Sequence, residues 1–118
     1  MKTSVTKEFT FDAAHLLTDY EGACANLHGH TYRLEVTVTG ELRNGMIIDF
    51  SVLKDVVKRE ILDKVDHRML NDVLDFRTTA ENMAEWMMKA IQSALPGRVY
   101  VTRIRLWETP TSYAEVTT

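Results

Sequence analysis

Residues 30–42, His-Thr-Tyr-Arg-Leu-Glu-Val-Thr-Val-Thr-Gly-Glu-Leu, decide the fold because apolar and polar side chains alternate along them. Side chains of a strand point to opposite faces with a period of two, so the alternation predicts a strand with one buried face. Residues 4–14 alternate in the same way and predict an earlier strand that ends with His15. If the two strands pair antiparallel, the end of the first meets the start of the second.

Two helices are predicted in the middle of the chain. Apolar residues recur at helical spacing over residues 51–64, where Ser51 is a plausible N-cap. A second helix is expected to open at Thr78, because residues 78–81 (Thr-Thr-Ala-Glu) fit a capping box. This helix stops at Leu95-Pro96-Gly97.

The rest of the chain completes the predicted sheet. Residues 98–107 are rich in β-branched and aromatic side chains and predict a third strand, and residues 113–117 predict a short last one. Residues 65–77 are predicted to be a short connection. This order indicates an α+β fold with both helices on one face of an antiparallel sheet. The open edges of such a sheet favour assembly of subunits edge to edge.

Composition limits the classes of protein. The chain has 118 residues, which is enough for one domain, residues 1–118. Lys and Arg number 14 against 17 Asp and Glu, so the net charge of −3 gives no support to nucleic-acid binding. The single cysteine, Cys24, cannot form an internal disulfide, which indicates a reducing compartment. No apolar run approaches the ~20 residues of a membrane span, so we expect a cytoplasmic protein with no membrane partner.

Three of the four histidines are predicted to converge. His28 and His30 lie two residues apart at the entry to the second strand and so project from one face. His15 lands beside them in the antiparallel register. Three imidazole ligands with a vacant fourth position are typical of catalytic zinc. A His-Gly-His pair alone would more often be two surface histidines, so the inference depends on His15.

Cys24 permits three interpretations. It could be the fourth ligand of a closed structural zinc site, because it precedes the histidine pair with Cys-x3-His-x-His spacing. It could be a reactive thiol near an open zinc, where the cation favours the thiolate. It could also be an inert buried cysteine. The residues alone do not choose among them.

Two further groups carry acid–base or binding chemistry. Asp66 precedes His67, and an imidazole oriented by a carboxylate is a proton relay near neutral pH, although neighbouring residues often point apart. A solvated loop pair is the alternative. Glu108 follows an apolar strand end and is either a rim charge or a buried anchor for a ligand. Its two oxygens suit a heterocycle that presents an N–H beside an amino group.

Six short motifs together resemble the 6-pyruvoyl-tetrahydropterin synthase superfamily, over about residues 5 to 115. Three residues separate Cys24 from His28, a spacing similar to the bacterial 6-carboxy-tetrahydropterin synthase branch of queuosine biosynthesis. A branch with glutamate in place of the cysteine is disfavoured. The motifs, in chain order, are Phe11-Asp12-Ala13-Ala14-His15; residues 24–30; Asp49-Phe50 with Leu53-Lys54; Val65-Asp66-His67 with Leu70-Asn71; Thr79-Ala80-Glu81-Asn82; and Trp107-Glu108-Thr109.

The resemblance implies the tunnelling fold, in which strand pairs from three subunits close a barrel and two trimers stack into a homohexamer. It also implies active sites between subunits and a resident zinc ion. The implied site residues are zinc-binding His15, His28 and His30; proton-handling Cys24 and His67, with Asp66 in support; and substrate-binding Glu108 and Thr79.

The resemblance further implies a carbon–carbon lyase. Its substrate would be 7,8-dihydroneopterin triphosphate, and its products 6-carboxy-5,6,7,8-tetrahydropterin, acetaldehyde and triphosphate. Two alternatives stay open. One is the pyruvoyl-forming synthase, which eliminates triphosphate from the same substrate and keeps the three-carbon side chain. The other is a non-catalytic, zinc-stabilised oligomer that binds pterins.

Overall fold

A five-stranded mixed sheet organises the molecule, for which a computed structural model describes residues 1–17, 22 and 25–118. Its spatial order is β3-β1-β2-β4-β5. Neighbouring strands are antiparallel except β3, which runs parallel to β1. The strands are β1 (Ser4–His15), β2 (His28–Gly40), β3 (Arg68–Met69), β4 (Val99–Thr109) and β5 (Ser112–Thr117).

The predicted strands are present, with one addition. β3 lies inside residues 65–77, which were expected to be only a connection. At two residues it is too short to show alternation, so the sequence could not reveal it. In a single chain the sheet is open, with β3 at one edge and β5 at the other.

Helices cover one face of the sheet. The first helical segment runs from α1 (Phe50–Val57) through a π-helical stretch (Lys58–Leu62) into α2 (Asp63–Val65). A short α3 (Leu70–Val73) and the long α4 (Ala80–Ala94) follow. None of the helices in the described part of the chain is long and apolar enough to cross a membrane.

Both predicted helix caps are wrong by one or two residues. The N-cap of α1 is Asp49 rather than Ser51, because the Asp49 carboxylate accepts a hydrogen bond from the Ser51 N–H at 2.7 Å. The N-cap of α4 is Thr79 rather than Thr78, and its hydroxyl accepts from the Asn82 N–H at 3.2 Å. Thr78 is fully buried and takes part in the site described below.

The core lies between the sheet and the helices. Alternate residues of β1 and β2 face it, and the rings of Phe11 and Tyr32 stack there with centroids 4.8 Å apart. Met83 and Met87 of α4 are fully buried against this face. At the end of the same face, beyond Phe11 and Tyr32, the strands present histidines instead of hydrocarbon. The packing that forms the core therefore also positions the candidate site.

Candidate functional site

The three predicted histidine ligands meet at the end of the β1–β2 pair where β1 finishes and β2 begins. His15 stands directly opposite His28, and His30 stands opposite Ala13, so their side chains emerge on the core face of the sheet. The Nε2 atoms of His15 and His28 lie 3.1 Å apart. The ring of His30 has its centroid 4.7 Å from that of His28 and 5.5 Å from that of His15. The antiparallel register is what brings them together.

The outer nitrogens of two rings are fixed by backbone carbonyls. His15 Nδ1 lies 2.9 Å from the Thr78 carbonyl oxygen, and His28 Nδ1 lies 2.7 Å from that of Asn26. A carbonyl can only accept, so each Nδ1 must carry the proton and donate it. In a neutral ring Nε2 then bears a lone pair. Two such lone pairs face each other across 3.1 Å, an arrangement that requires a cation, either a proton or a metal ion.

Glu108 completes the group. Its Oε1 lies 3.3 Å from His15 Nε2 and 3.2 Å from His30 Nε2. The hydrogen bond with His15 holds the pKa of Glu108 below its usual value, although burial opposes this shift. Desolvation lowers the pKa of His30, whose buried Nε2 has no hydrogen-bond partner in the described part of the chain.

These four side chains fit a divalent metal ion. One ligand atom from each of His15, His28, His30 and Glu108 lies within 4.8 Å of the others. Three imidazoles and one carboxylate are ligand types that zinc accepts. The hydrogen bonds from Nδ1 to carbonyls are the outer contacts that ordinarily orient metal-binding imidazoles. The cluster can therefore bind a metal.

Three supporting residues were missed by sequence reasoning. Thr78, expected to cap a helix, accepts from His15 through its carbonyl and also lies 3.2 Å from His15 Nδ1 through its hydroxyl. Asn26 orients His28 in the same way. The Asn71 amide binds both backbone groups of Leu16, at 3.0 Å each, and so fixes the end of β1. Every residue has a backbone carbonyl, so the sequence does not indicate which carbonyls bind the histidines. The side-chain contacts of Thr78 and Asn71 join residues that are far apart in the sequence.

Cys24 lies outside the described residues. Its three interpretations therefore stay predictions.

The Asp66–His67 pair forms a second group, separate from the histidine cluster. His67 Nδ1 lies 3.0 Å from Asp66 Oδ1, and the His67 ring is 78% exposed. The two neighbouring side chains are in contact, and His67 has a left-handed backbone with φ of 59°. The Asp12 backbone secures both residues: its N–H donates to Asp66 Oδ1 at 3.1 Å and its carbonyl accepts from His67 N–H at 2.7 Å.

Cavities lie around both groups. One of about 500 Å³ is lined by His67 and by His30, so it connects the Asp66–His67 pair with the edge of the cluster. Another, of about 440 Å³, is lined by His30 and Glu108, and Glu108 also borders a third of about 370 Å³. A small molecule can therefore reach Glu108 and His30 from solvent.

The hydroxyl oxygen of Thr79, which was predicted to bind substrate, caps α4 by accepting a hydrogen bond from the Asn82 N–H.

Comparison with known proteins gives the site a context. The family model described as 6-pyruvoyl tetrahydropterin synthase matches residues 4–118. The 6-carboxy-5,6,7,8-tetrahydropterin synthase of Haemophilus influenzae is 39% identical, over 94% of this chain and 96% of that protein. The dihydroneopterin monophosphate aldolase of Pyrococcus furiosus is 44% identical, over 92% and 91%.

A solved structure shows the same fold. The 6-pyruvoyl tetrahydropterin synthase of Caenorhabditis elegans superposes with a TM-score of 0.87 at 29% identity, covering 100% of this chain and 96% of that one. The predicted α+β tunnelling fold is thereby confirmed for the chain. The prediction of an enzyme is confirmed as well, because the similar curated proteins are named as enzymes.

Proposed function

Since the chain belongs to the 6-pyruvoyl tetrahydropterin synthase family, we propose that it is a zinc-dependent carbon–carbon lyase. The proposed substrate is 7,8-dihydroneopterin triphosphate. With the consumption of one water molecule, the products are 6-carboxy-5,6,7,8-tetrahydropterin, acetaldehyde and triphosphate, and the reaction serves queuosine and related deazapurine biosynthesis. The similarity to the Haemophilus influenzae synthase supports this choice.

One observation carries the proposal: the facing Nε2 atoms of His15 and His28, whose other nitrogens are committed to carbonyls. His15, His28 and His30 hold zinc in this account. When bound, zinc supplies Lewis-acid stabilisation of negative charge on the substrate side chain. Three protein ligands leave room for substrate, as a catalytic zinc site requires.

Glu108 anchors the pterin rather than closing the zinc site. Its side chain is 26% exposed and borders two cavities, and its carboxylate contacts the cluster, so Glu108 lies between the cluster and the space where a ligand would lie. Because its lowered pKa keeps it ionised, it can accept two hydrogen bonds from the N–H and amino groups of an aminopyrimidine. Thr79 directly precedes Ala80 and Glu81, which border the same cavity as Glu108, and its hydroxyl can donate to the substrate while its oxygen accepts from the Asn82 N–H.

Cys24 and His67 move protons. The Cys24 thiolate removes a proton from a side-chain carbon next to the pterin ring, and His67, oriented by Asp66 at 3.0 Å, shuttles protons on the other side. The Asp66–His67 pair and the histidine cluster are separate groups in one chain. One cavity of the chain borders both groups, and in our proposal His67 of a second subunit also acts at the cluster, within a homohexamer whose contacts use the open edges at β3 and β5.

A second candidate function is an aldolase acting on dihydroneopterin monophosphate. The specific observation in its favour is the 44% identity to the Pyrococcus furiosus enzyme of that name. A retro-aldol cleavage of the monophosphate side chain would release a phosphorylated two-carbon aldehyde. The histidine cluster would serve either reaction, so the products distinguish the two.

The test is product analysis with purified, zinc-loaded protein. Separate incubations contain 7,8-dihydroneopterin triphosphate or the monophosphate, and both the pterin and the aldehyde are identified by mass spectrometry. Release of acetaldehyde and 6-carboxytetrahydropterin from the triphosphate supports the proposal. A phosphorylated aldehyde from the monophosphate supports the aldolase, and an intact three-carbon side chain supports the pyruvoyl-forming reaction. Tight binding without any turnover would contradict all three.

A further inference from the structure

The face of the sheet opposite the helices presents three arginines, which differ in their partners. Arg105 Nε lies 2.5 Å from Glu115 Oε1, and Arg103 Nε lies 3.9 Å from the same oxygen. Arg105 is therefore hydrogen-bonded to a carboxylate, and Arg103 shares the same carboxylate at ion-pair distance. Arg33 has neither an ion pair nor a hydrogen bond within the described ranges. Among the described residues, it is therefore the arginine of this face that has no carboxylate partner, and its donors are available to a ligand.

Arg33 is nevertheless held in place. It stands directly opposite Trp107 in the β2–β4 register, and its guanidinium carbon lies 4.3 Å from the centroid of the Trp107 ring. The Trp107 indole N–H donates to Glu35, and its ring lies 4.4 Å from that of Tyr113. Packing over a fixed aromatic ring orients a guanidinium while leaving the N–H groups at its edge free to donate.

The location of Arg33 points to a ligand. It lines the cavity of about 440 Å³ that also contains His30 and Glu108. The cavity in which we place the pterin is thus bordered by both a cation and a carboxylate. A planar guanidinium with free donors matches the oxygen atoms of a phosphate group, which it can bind through two parallel hydrogen bonds.

We propose that Arg33, stacked on Trp107, binds the phosphate groups of the substrate and so makes this enzyme selective for phosphorylated pterins. The assignment rests on the proposed function, because it takes the pterin side chain to extend from Glu108 towards Arg33. Arg33 contributes affinity for phosphate and takes no part in proton transfer.

The experiment measures the contribution of phosphate to binding. Neopterin and neopterin triphosphate, which are fluorescent oxidised pterins, are titrated into the full-length zinc-loaded protein, and the ratio of their dissociation constants is calculated. We expect Arg33→Gln to reduce this ratio about 10-fold or more, with neopterin affinity unchanged. The matched control is Arg105→Gln, which removes a carboxylate-paired arginine from the same face and should leave the ratio at the wild-type value.

The outcomes separate the two claims. If wild-type protein binds both pterins and Arg33→Gln leaves the ratio unchanged, the assignment of Arg33 is overturned and the proposed function stands. An equal reduction in Arg105→Gln would overturn it too, since the effect would then come from the general charge of the face. A wild-type protein that binds neither pterin would contradict the proposed function and, with it, the role of Arg33.

Discussion

Removing the metal should lower the stability of the protein by an amount that can be calculated. The histidine cluster exists in the folded chain alone, because His15 and His28 come from different strands. A ligand bound solely by the folded state stabilises it by RT ln(1 + [L]/Kd), which is about 4 kcal/mol at 1,000 times the dissociation constant. For a chain of 118 residues, 1 kcal/mol corresponds to about 4 °C in Tm. Zinc at that concentration should therefore raise Tm by about 15 °C.

The assay is thermal unfolding of the protein with a chelator and with added zinc. His15→Ala should abolish most of the rise in Tm caused by zinc. Each variant is compared with its own metal-free form, so that the stability lost with the packing of the side chain is excluded from the comparison. His67→Ala is the matched control, because this exposed histidine belongs to the separate group and should leave the increment intact. An unchanged Tm in wild-type protein, or equal losses in both variants, would refute the reasoning.

Three further predictions concern individual side chains. Cys24→Ala should retain one zinc per chain but lose about 10²–10⁴-fold in kcat; loss of zinc would instead indicate a closed structural site. Thr78→Val removes the hydroxyl that lies 3.2 Å from His15 Nδ1 but keeps the carbonyl contact. Zinc affinity, measured by competition titration, should therefore fall about 10-fold or less. A loss of affinity as large as that in His15→Ala would contradict the role assigned to Thr78. Met87→Ala should reduce the free energy of unfolding in urea by about 2–5 kcal/mol, whereas exposed Lys89→Ala should change it by about 0.5 kcal/mol or less.

The convergence of the histidines was predictable because it depends on two regular features. Strand side chains repeat with a period of two, which places His28 and His30 on one face. The antiparallel register then sets His15 opposite His28, as the structure shows. Both features follow from the alternation of apolar residues, which is visible in the sequence.

The surroundings of the cluster were less predictable. Thr78 was expected to cap α4 and instead orients His15, because its φ, ψ angles and burial depend on how the helix packs on the sheet. The contact between Asp66 and His67 occurs with a left-handed backbone at His67, which is uncommon outside glycine. β3 is too short to produce a periodic signal. Each of these features is set by tertiary packing rather than by local pattern.

The central claim is that three imidazole nitrogens hold the metal and leave a position for substrate. X-ray absorption spectroscopy at the zinc edge, on the purified zinc-loaded protein without substrate, tests it most directly. We expect three nitrogen neighbours at about 2.0–2.1 Å and no sulfur neighbour. A sulfur atom at about 2.3 Å, or fewer than three nitrogens, would contradict it.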